Sequence, residues 1–85
     1  MEYIVIAFRS RAHTVRFYEF LKSNKIPSEI VNTPKEAGVG CGLSVKINKN
    51  YFSVAKNAVK IASLSSFAGF FLVSDNNKRR TVKTI

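Results

Sequence analysis

The order of apolar segments is the feature that most limits how this chain can fold. Four short runs rich in β-branched and aromatic residues are typical of strands, and they span residues 3–8, 28–33, 43–48 and 67–73. Two longer segments between them carry apolar residues at helical spacing. The order β-α-β-β-α-β predicts an α+β, ferredoxin-like two-layer sandwich, in which two helices cover one face of an antiparallel sheet.

The individual elements have recognisable boundaries. Ser10 is the predicted N-cap of the first helix, which should end near Asn24, and Asn48 or Asn50 should cap the second. The inward positions of the first helix are predicted to be Ala12, Val15, Phe17, Tyr18, Phe20 and Leu21. The clearest strand is 43–48, whose predicted core-facing residues are Leu43, Val45 and Ile47.

Charge divides the chain into two predicted parts. Residues 1–75 should form a single domain, and residues 76–85 read as a solvated, basic C-terminal tail. The formal net charge of +9 predicts an anionic partner, which could be nucleic acid, a phosphate-bearing ligand or an acidic protein surface. The tail is the segment expected to assist that encounter.

The single cysteine and the lengths of the apolar runs indicate the cellular compartment of the protein. A single cysteine, Cys41, cannot form an internal disulfide, and its spacing from His13 fits no zinc site, so we expect neither a metal nor a cofactor. The longest apolar-rich stretch, residues 59–73, is too short and too rich in serine to span a bilayer. These features predict a cytoplasmic protein with no membrane partner.

The segment Thr33–Leu43 is the candidate functional loop. It contains three of the four glycines, one of the two prolines and the only cysteine. Gly40 and Gly42 leave Cys41 uncrowded and permit positive φ on either side, so that backbone N–H groups could converge on the sulfur. The alternative is a hairpin turn that contains one small apolar residue.

The predicted topology brings other residues to the same rim as Cys41. A helix N-terminus and nearby cations lower a thiol pKa, which would favour a reactive thiolate at Cys41. The residues expected to bind or activate the thiol and its cargo are Arg9, Ser10, Arg11, His13, Lys35, Gly40 and Gly42, with Ser65 and Ser66 on the same rim. The alternative is that the cations are solvated surface charges and that His13 is an ordinary helix residue.

Independent catalysis is less well supported by these residues. A cysteine hydrolase needs a base beside the thiol and a third group that orients this base. His13 is the only histidine, and no acidic residue flanks it. Covalent carriage of a small group requires only an accessible, activated thiol.

The loop also resembles that of the selenium/sulfur carrier protein-like family. The shared signature is a proline, a basic residue, a glutamate, a short turn and then Cys-Gly-Leu at the start of a strand. It is matched by Pro34, Lys35, Glu36, Cys41, Gly42 and Leu43. The resemblance extends over roughly residues 3–73, but residues 37–40 depart from the serine-rich turn of the family, so backbone N–H groups would have to form any cradle.

The resemblance implies that Cys41 carries sulfur or selenium as a persulfide-like adduct between a donor and an acceptor protein. The alternative is a small basic module that binds nucleic acid or has a regulatory role, with an inert cysteine. RNA-binding sheets of this class stack bases on aromatic residues of their central strands. The strand 43–48 has no aromatic residue, so nucleic acid is the less favoured partner.

Overall fold

A computed structural model describes residues 1–85 and contains five strands and two helices. They are β1 (Glu2–Phe8), α1 (Arg11–Ser23), β2 (Glu29–Asn32), β3 (Leu43–Asn48), α2 (Phe52–Ala62), β4 (Phe67–Asn76) and β5 (Arg79–Thr84). Short 3₁₀ turns occupy Lys35–Ala37 and Lys49–Tyr51. The predicted α+β class is confirmed, as are both helices and the first four strands.

The strand count is where the predicted fold is wrong. The sheet is antiparallel throughout, with the order β2-β3-β1-β4-β5, so the exact four-stranded ferredoxin-like order is not matched. Residues expected to form a solvated tail instead form β5, which pairs with β4 from Phe71↔Thr84 to Asn76↔Arg79. Basic side chains are common on such edge strands because they discourage further pairing.

Both helices pack on the same face of the sheet, where ten buried residues form the larger core. The N-cap prediction for α1 is confirmed, because the Ser10 hydroxyl accepts the His13 backbone N–H at 3.2 Å. The buried residues of α1 are Thr14, Phe17 and Leu21. Ala12 and Val15 are exposed, contrary to prediction, because the inward face of α1 carries Thr14, Phe17 and Leu21 instead.

The entry to α2 differs from the prediction in one detail. Asn48 caps the 3₁₀ turn before α2, where its Oδ1 accepts the Asn50 backbone N–H at 2.8 Å. The N-cap position of α2 itself is Tyr51, which provides no side-chain bond. The helix therefore begins as a continuation of the 3₁₀ turn.

The other face of the sheet holds a second, smaller core. Its buried residues are Val5, Ala7, Phe71 and Val73. Because Ile4, Ile6 and Phe8 of the same strand face the helices, β1 is buried on both faces, as its continuous apolar sequence predicts. The cover of this second core includes the connection between β2 and β3, which contains Cys41.

Candidate functional site

The connection between β2 and β3, residues 33–42, is here called the cysteine loop. Its two ends are joined, since the Thr33 backbone N–H donates to the Gly42 carbonyl at 2.9 Å. The Thr33 and Ser44 hydroxyls also share a hydrogen bond of 2.6 Å, and Ser44 is fully buried. The base of the cysteine loop is thus fixed on β3.

A tight turn reverses the chain inside the cysteine loop. Pro34 is buried and precedes the 3₁₀ turn Lys35–Ala37. Gly38 then adopts the left-handed conformation with φ 69°, and its N–H donates to the Lys35 carbonyl at 3.1 Å. Gly38 is the loop position whose backbone favours glycine.

After the turn, the cysteine loop lies over the face of the sheet that carries no helix. Ala37 and Val39 pack against the cluster of Val5, Ala7, Phe71 and Val73, which Val82 of β5 also contacts. The cysteine loop therefore has its own apolar contact with the sheet.

An ion pair connects the cysteine loop to β5. The Arg80 Nη2 lies 2.9 Å from Glu36 Oε1, and Arg80 Nε lies 3.3 Å from Glu36 Oε2. The backbone N–H of Glu36, and then the Arg80 guanidinium, hold the pKa of the Glu36 carboxyl below its ordinary value. Hydrogen bonding to Glu36 in turn raises the pKa of Arg80. Fork-to-fork geometry makes this pair directional although it is exposed to solvent.

Cys41 lies half-buried at the far end of the cysteine loop. Its Sγ is 3.5 Å from the Leu43 carbonyl oxygen, a long contact that a thiol proton can bridge only weakly. The same carbonyl accepts the Thr14 hydroxyl at 3.2 Å, and Thr14 is fully buried in the first turns of α1. The Leu43 carbonyl therefore links the thiol to the N-terminal end of α1.

A second set of polar contacts surrounds that helix end. Ser66 Oγ accepts the Ser10 backbone N–H at 3.2 Å and lies 2.6 Å from His13 Nδ1. The Arg9 backbone N–H donates to the Ser66 carbonyl at 2.8 Å. The donor in the Ser66–His13 bond depends on the tautomer of the imidazole, since the Ser66 hydroxyl can both donate and accept. Residue 66 thereby joins the segment before β4 to the start of α1.

The structure joins some of the predicted site residues and separates others. Cys41, Ser10 and His13 lie in neighbouring hydrogen-bond networks, through Leu43 with Thr14 and through Ser66. The side chains of Arg9, Arg11 and Lys35 are exposed and make no hydrogen bond or ion pair, so their action on Cys41 stays a prediction.

The glycines beside Cys41 do not use the positive φ that glycine permits. Positive φ occurs at Gly38 and Gly69 and not at Gly40 or Gly42. A Cβ atom added at Gly40 or Gly42 would meet no other atom within 4 Å. These two glycines leave open space around Cys41 rather than a conformation that other residues would resist.

Two contributors to the site were absent from the sequence prediction. Thr14 lies on the inward face of α1 with Phe17 and Leu21, at the spacing i, i+3 and i+7, and a polar residue buried there needs a hydrogen-bond partner. Arg80 lies in the segment predicted to be a solvated tail, and its pairing with Glu36 depends on the formation of β5. No local pattern in the sequence reveals that second contact.

Two features are absent from the structure. It contains no group of three or more histidine, cysteine, aspartate or glutamate side chains placed to hold a metal ion. Neither helix has the length and apolar character needed to cross a membrane.

Comparison with known protein families gives a match over most of the chain. The family model described as "Putative Se/S carrier protein-like" matches residues 3–65, which extend from β1 past the end of α2. No curated protein and no solved structure matches the chain. The match contains the whole cysteine loop, whereas Arg80, the partner of Glu36, lies outside it.

Proposed function

The chain belongs to the Se/S carrier protein-like family, and from this membership we propose that it carries sulfur or selenium on Cys41 between two proteins. The cargo is held as a persulfide-like adduct. The partners are a donor protein that bears a persulfide or selenopersulfide and an acceptor protein that bears a nucleophile. A reducing cytoplasm, which keeps single thiols free, is the compartment that suits this chemistry.

The transfer is balanced without an external oxidant. The Cys41 thiolate attacks the outer sulfur of a donor R–S–SH, a new S–S bond forms at Cys41, and the donor leaves as the thiolate R–S⁻. In the second step the acceptor nucleophile attacks the outer atom, and the Cys41 thiolate is the leaving group. Replacement of the outer sulfur by selenium leaves the same balance. Exchange of this kind requires a thiolate and access to it.

The observation that carries the proposal is the position of the single thiol within the matched region. Cys41 is half-exposed, and its sulfur has only the long contact to the Leu43 carbonyl. This weak contact is the only hydrogen bond of the sulfur, while the base of the cysteine loop is fixed independently by Thr33 and Gly42. An outer atom can thus be added at Cys41 without disturbing buried structure.

The nucleic-acid alternative receives less support from the sheet surface. RNA-binding sheets offer exposed aromatic rings on the face that carries no helix. Here that face is covered by the cysteine loop, and Phe71 is buried beneath it. The Lys46 ammonium lies 4.4 Å from the centroid of the Tyr3 ring, so this ring already has a cation on it. A base-stacking platform is therefore not available.

The proposal is tested by intact-mass spectrometry after incubation with a protein persulfide and, separately, with a selenopersulfide. We expect the chain to gain the mass of one sulfur or one selenium atom and to lose it again when an acceptor thiol is added. Cys41→Ser is the matched control and should gain nothing. No mass gain in the natural chain, together with ordinary alkylation of Cys41, would support the alternative in which the cysteine is inert.

A further inference from the structure

Helix α2 is apolar over a wider surface than its contact with the sheet requires. Its inward positions are filled by Ala55 and Ala58, which are buried. Val54 and Ile61 point elsewhere, and they are 49% and 65% exposed. The other exposed large hydrophobic residues are Val15 of α1 and the two chain ends, Met1 and Ile85. A helix that only had to cover one face of a sheet would carry polar residues at positions 54 and 61.

These residues line a groove of about 250 Å³ beside the two helices, here called the helix groove. Its apolar lining consists of Phe20, Ile26, Val54, Ala58 and Ile61. Val54 and Ile61 are seven residues apart, so they lie about two turns, or roughly 10 Å, along the axis of α2. An amphipathic helix bound along the groove places its own apolar side chains at a matching spacing of i, i+3 or i+4, and i+7.

Lysines flank the helix groove on two sides. Lys56 and Lys60 line a hollow that shares Val54 and Asn57 with the groove, and Lys22 and Lys25 line another that shares Ile26. The Lys56 ammonium lies 5.3 Å from the centroid of the Phe52 ring. The three ion pairs of the molecule use Lys46, Lys49 and Arg80, so the four lysines beside the groove have no carboxylate partner within the chain.

We propose that the helix groove binds an acidic amphipathic helix of a partner protein. Apolar side chains of that helix lie on Val54 and Ile61, and its flanking carboxylates face the two lysine pairs. A second copy of this chain is disfavoured as the occupant, since its helices would bring the same unpaired cations. The proposal does not depend on chalcogen chemistry at Cys41, which belongs to the cysteine loop and does not line the helix groove.

The experiment uses the full chain and a synthetic amphipathic helix of about 18 residues, or five turns, with leucines along one stripe and glutamates beside them. Binding is followed by NMR chemical-shift changes and by fluorescence anisotropy of the labelled peptide. We expect shifts at Val54, Ala58 and Ile61, an affinity that falls with added salt, and no binding of a scrambled peptide of equal composition. Vesicles rich in phosphatidylserine are titrated in parallel.

Matched substitutions distinguish peptide binding in the helix groove from a general effect of net charge. Ile61→Gln should weaken peptide binding by about tenfold, because burial of one aliphatic side chain is worth one to a few factors of ten in affinity. Ile85→Gln, an equal change at the exposed chain end, should leave binding unchanged. Likewise Lys60→Glu should weaken binding much more than Lys83→Glu in β5, which changes the net charge equally. Cys41→Ser should bind the peptide as the natural chain does.

Three results would overturn the proposal. They are equal binding of the scrambled peptide, equal losses for Ile61→Gln and Ile85→Gln, and vesicle binding that Ile61→Gln abolishes while the peptide does not bind. The last result would identify the helix groove as a membrane-surface site. Failure of sulfur uptake at Cys41 would leave the peptide result untouched, so the two proposals fail separately.

Discussion

Ten buried residues form the core on the helix side of the sheet, whereas four form the core on the side on which the cysteine loop lies. The helix side is filled mainly by large side chains of the two helices and of β1 and β3. The loop side is completed by Ala37 and Val39, one left-handed glycine and the exposed ion pair between Glu36 and Arg80. Because buried apolar area contributes far more free energy than an exposed ion pair, most of the stability should reside on the helix side. The loop that carries Cys41 thus packs on the side where a substitution should lower the free energy of unfolding least.

The largest effect should come from the helix side. Phe17 is fully buried, and the centroid of its ring lies 5.2 Å from that of Phe8. We expect Phe17→Ala to lower the free energy of unfolding by about 3–5 kcal/mol, measured by urea denaturation. Phe17→Leu, which removes fewer buried atoms and should cost less than Phe17→Ala, keeps the comparison measurable if the alanine variant does not fold. If Phe17→Ala lowers the free energy of unfolding less than the substitutions on the loop side do, most of the stability does not reside on the helix side.

The turn in the cysteine loop should give the next effect. Gly38 has φ 69°, where a Cβ atom is strained, so Gly38→Ala should cost about 1–2 kcal/mol. Gly40→Ala is the matched control, because that residue has neither a positive φ nor an atom within 4 Å of the added Cβ. Its unfolding free energy should be nearly unchanged. Equal losses for the two variants would show that the left-handed turn is not what holds the loop.

A smaller effect is expected from the apolar contact of the cysteine loop. Val39 is only partly buried against the loop-side cluster, so Val39→Ala should lower the unfolding free energy by about 1 kcal/mol. The same change loosens the segment next to Cys41, and alkylation of the thiol under native conditions should become faster. An unchanged alkylation rate together with the expected loss of stability would show that Val39 does not control access to Cys41.

The difference between the two sides also explains which features the sequence could predict. The strand Leu43–Asn48, the Ser10 cap and the end of α1 follow from local pattern, because period, capping and burial agree there. The strand Arg79–Thr84 does not, since its residues are charged and polar apart from Val82. Its extended conformation comes from pairing with β4, and strand formation depends on such context more than on composition.

The candidate site was predictable to a similar extent. The position of Cys41 in a loop at the rim of the sheet follows from topology, and so does the presence of Ser10, His13 and Ser66 at one helix end. The course of the cysteine loop over the sheet does not follow, because it depends on contacts of two small residues with distant strands. Side-chain contacts of this kind are set by tertiary packing and leave no periodic pattern in the sequence.

The smallest predicted effect concerns the ion pair between Glu36 and Arg80, and pH isolates it. The pKa of Glu36 is lower in the folded chain than its ordinary value of 4.5, first through its own backbone N–H and then through Arg80. A lowered folded pKa stabilises the folded state above the unfolded value, and this stability is lost as the pH falls through the folded pKa. Glu36→Gln cannot titrate. The difference in unfolding free energy between the natural chain and Glu36→Gln should therefore be present at about pH 6, shrink below about pH 4.5 and diminish with added salt.

Glu2 provides the control for this titration, since hydrogen bonds from Lys49 and Ser74 also lower the pKa of its carboxyl. Glu2 lies in β1 and bonds to Lys49 and Ser74 rather than to the cysteine loop, so Glu2→Gln should show a similar pH dependence of stability but leave the alkylation rate of Cys41 unchanged. Glu36→Gln should raise that rate, because it releases the cysteine loop from β5. If Glu36→Gln differs from the natural chain by the same free energy at about pH 3 and about pH 6, the ionised pair is not what joins the loop to β5. The cysteine loop would then be held by its turn and its apolar contact alone.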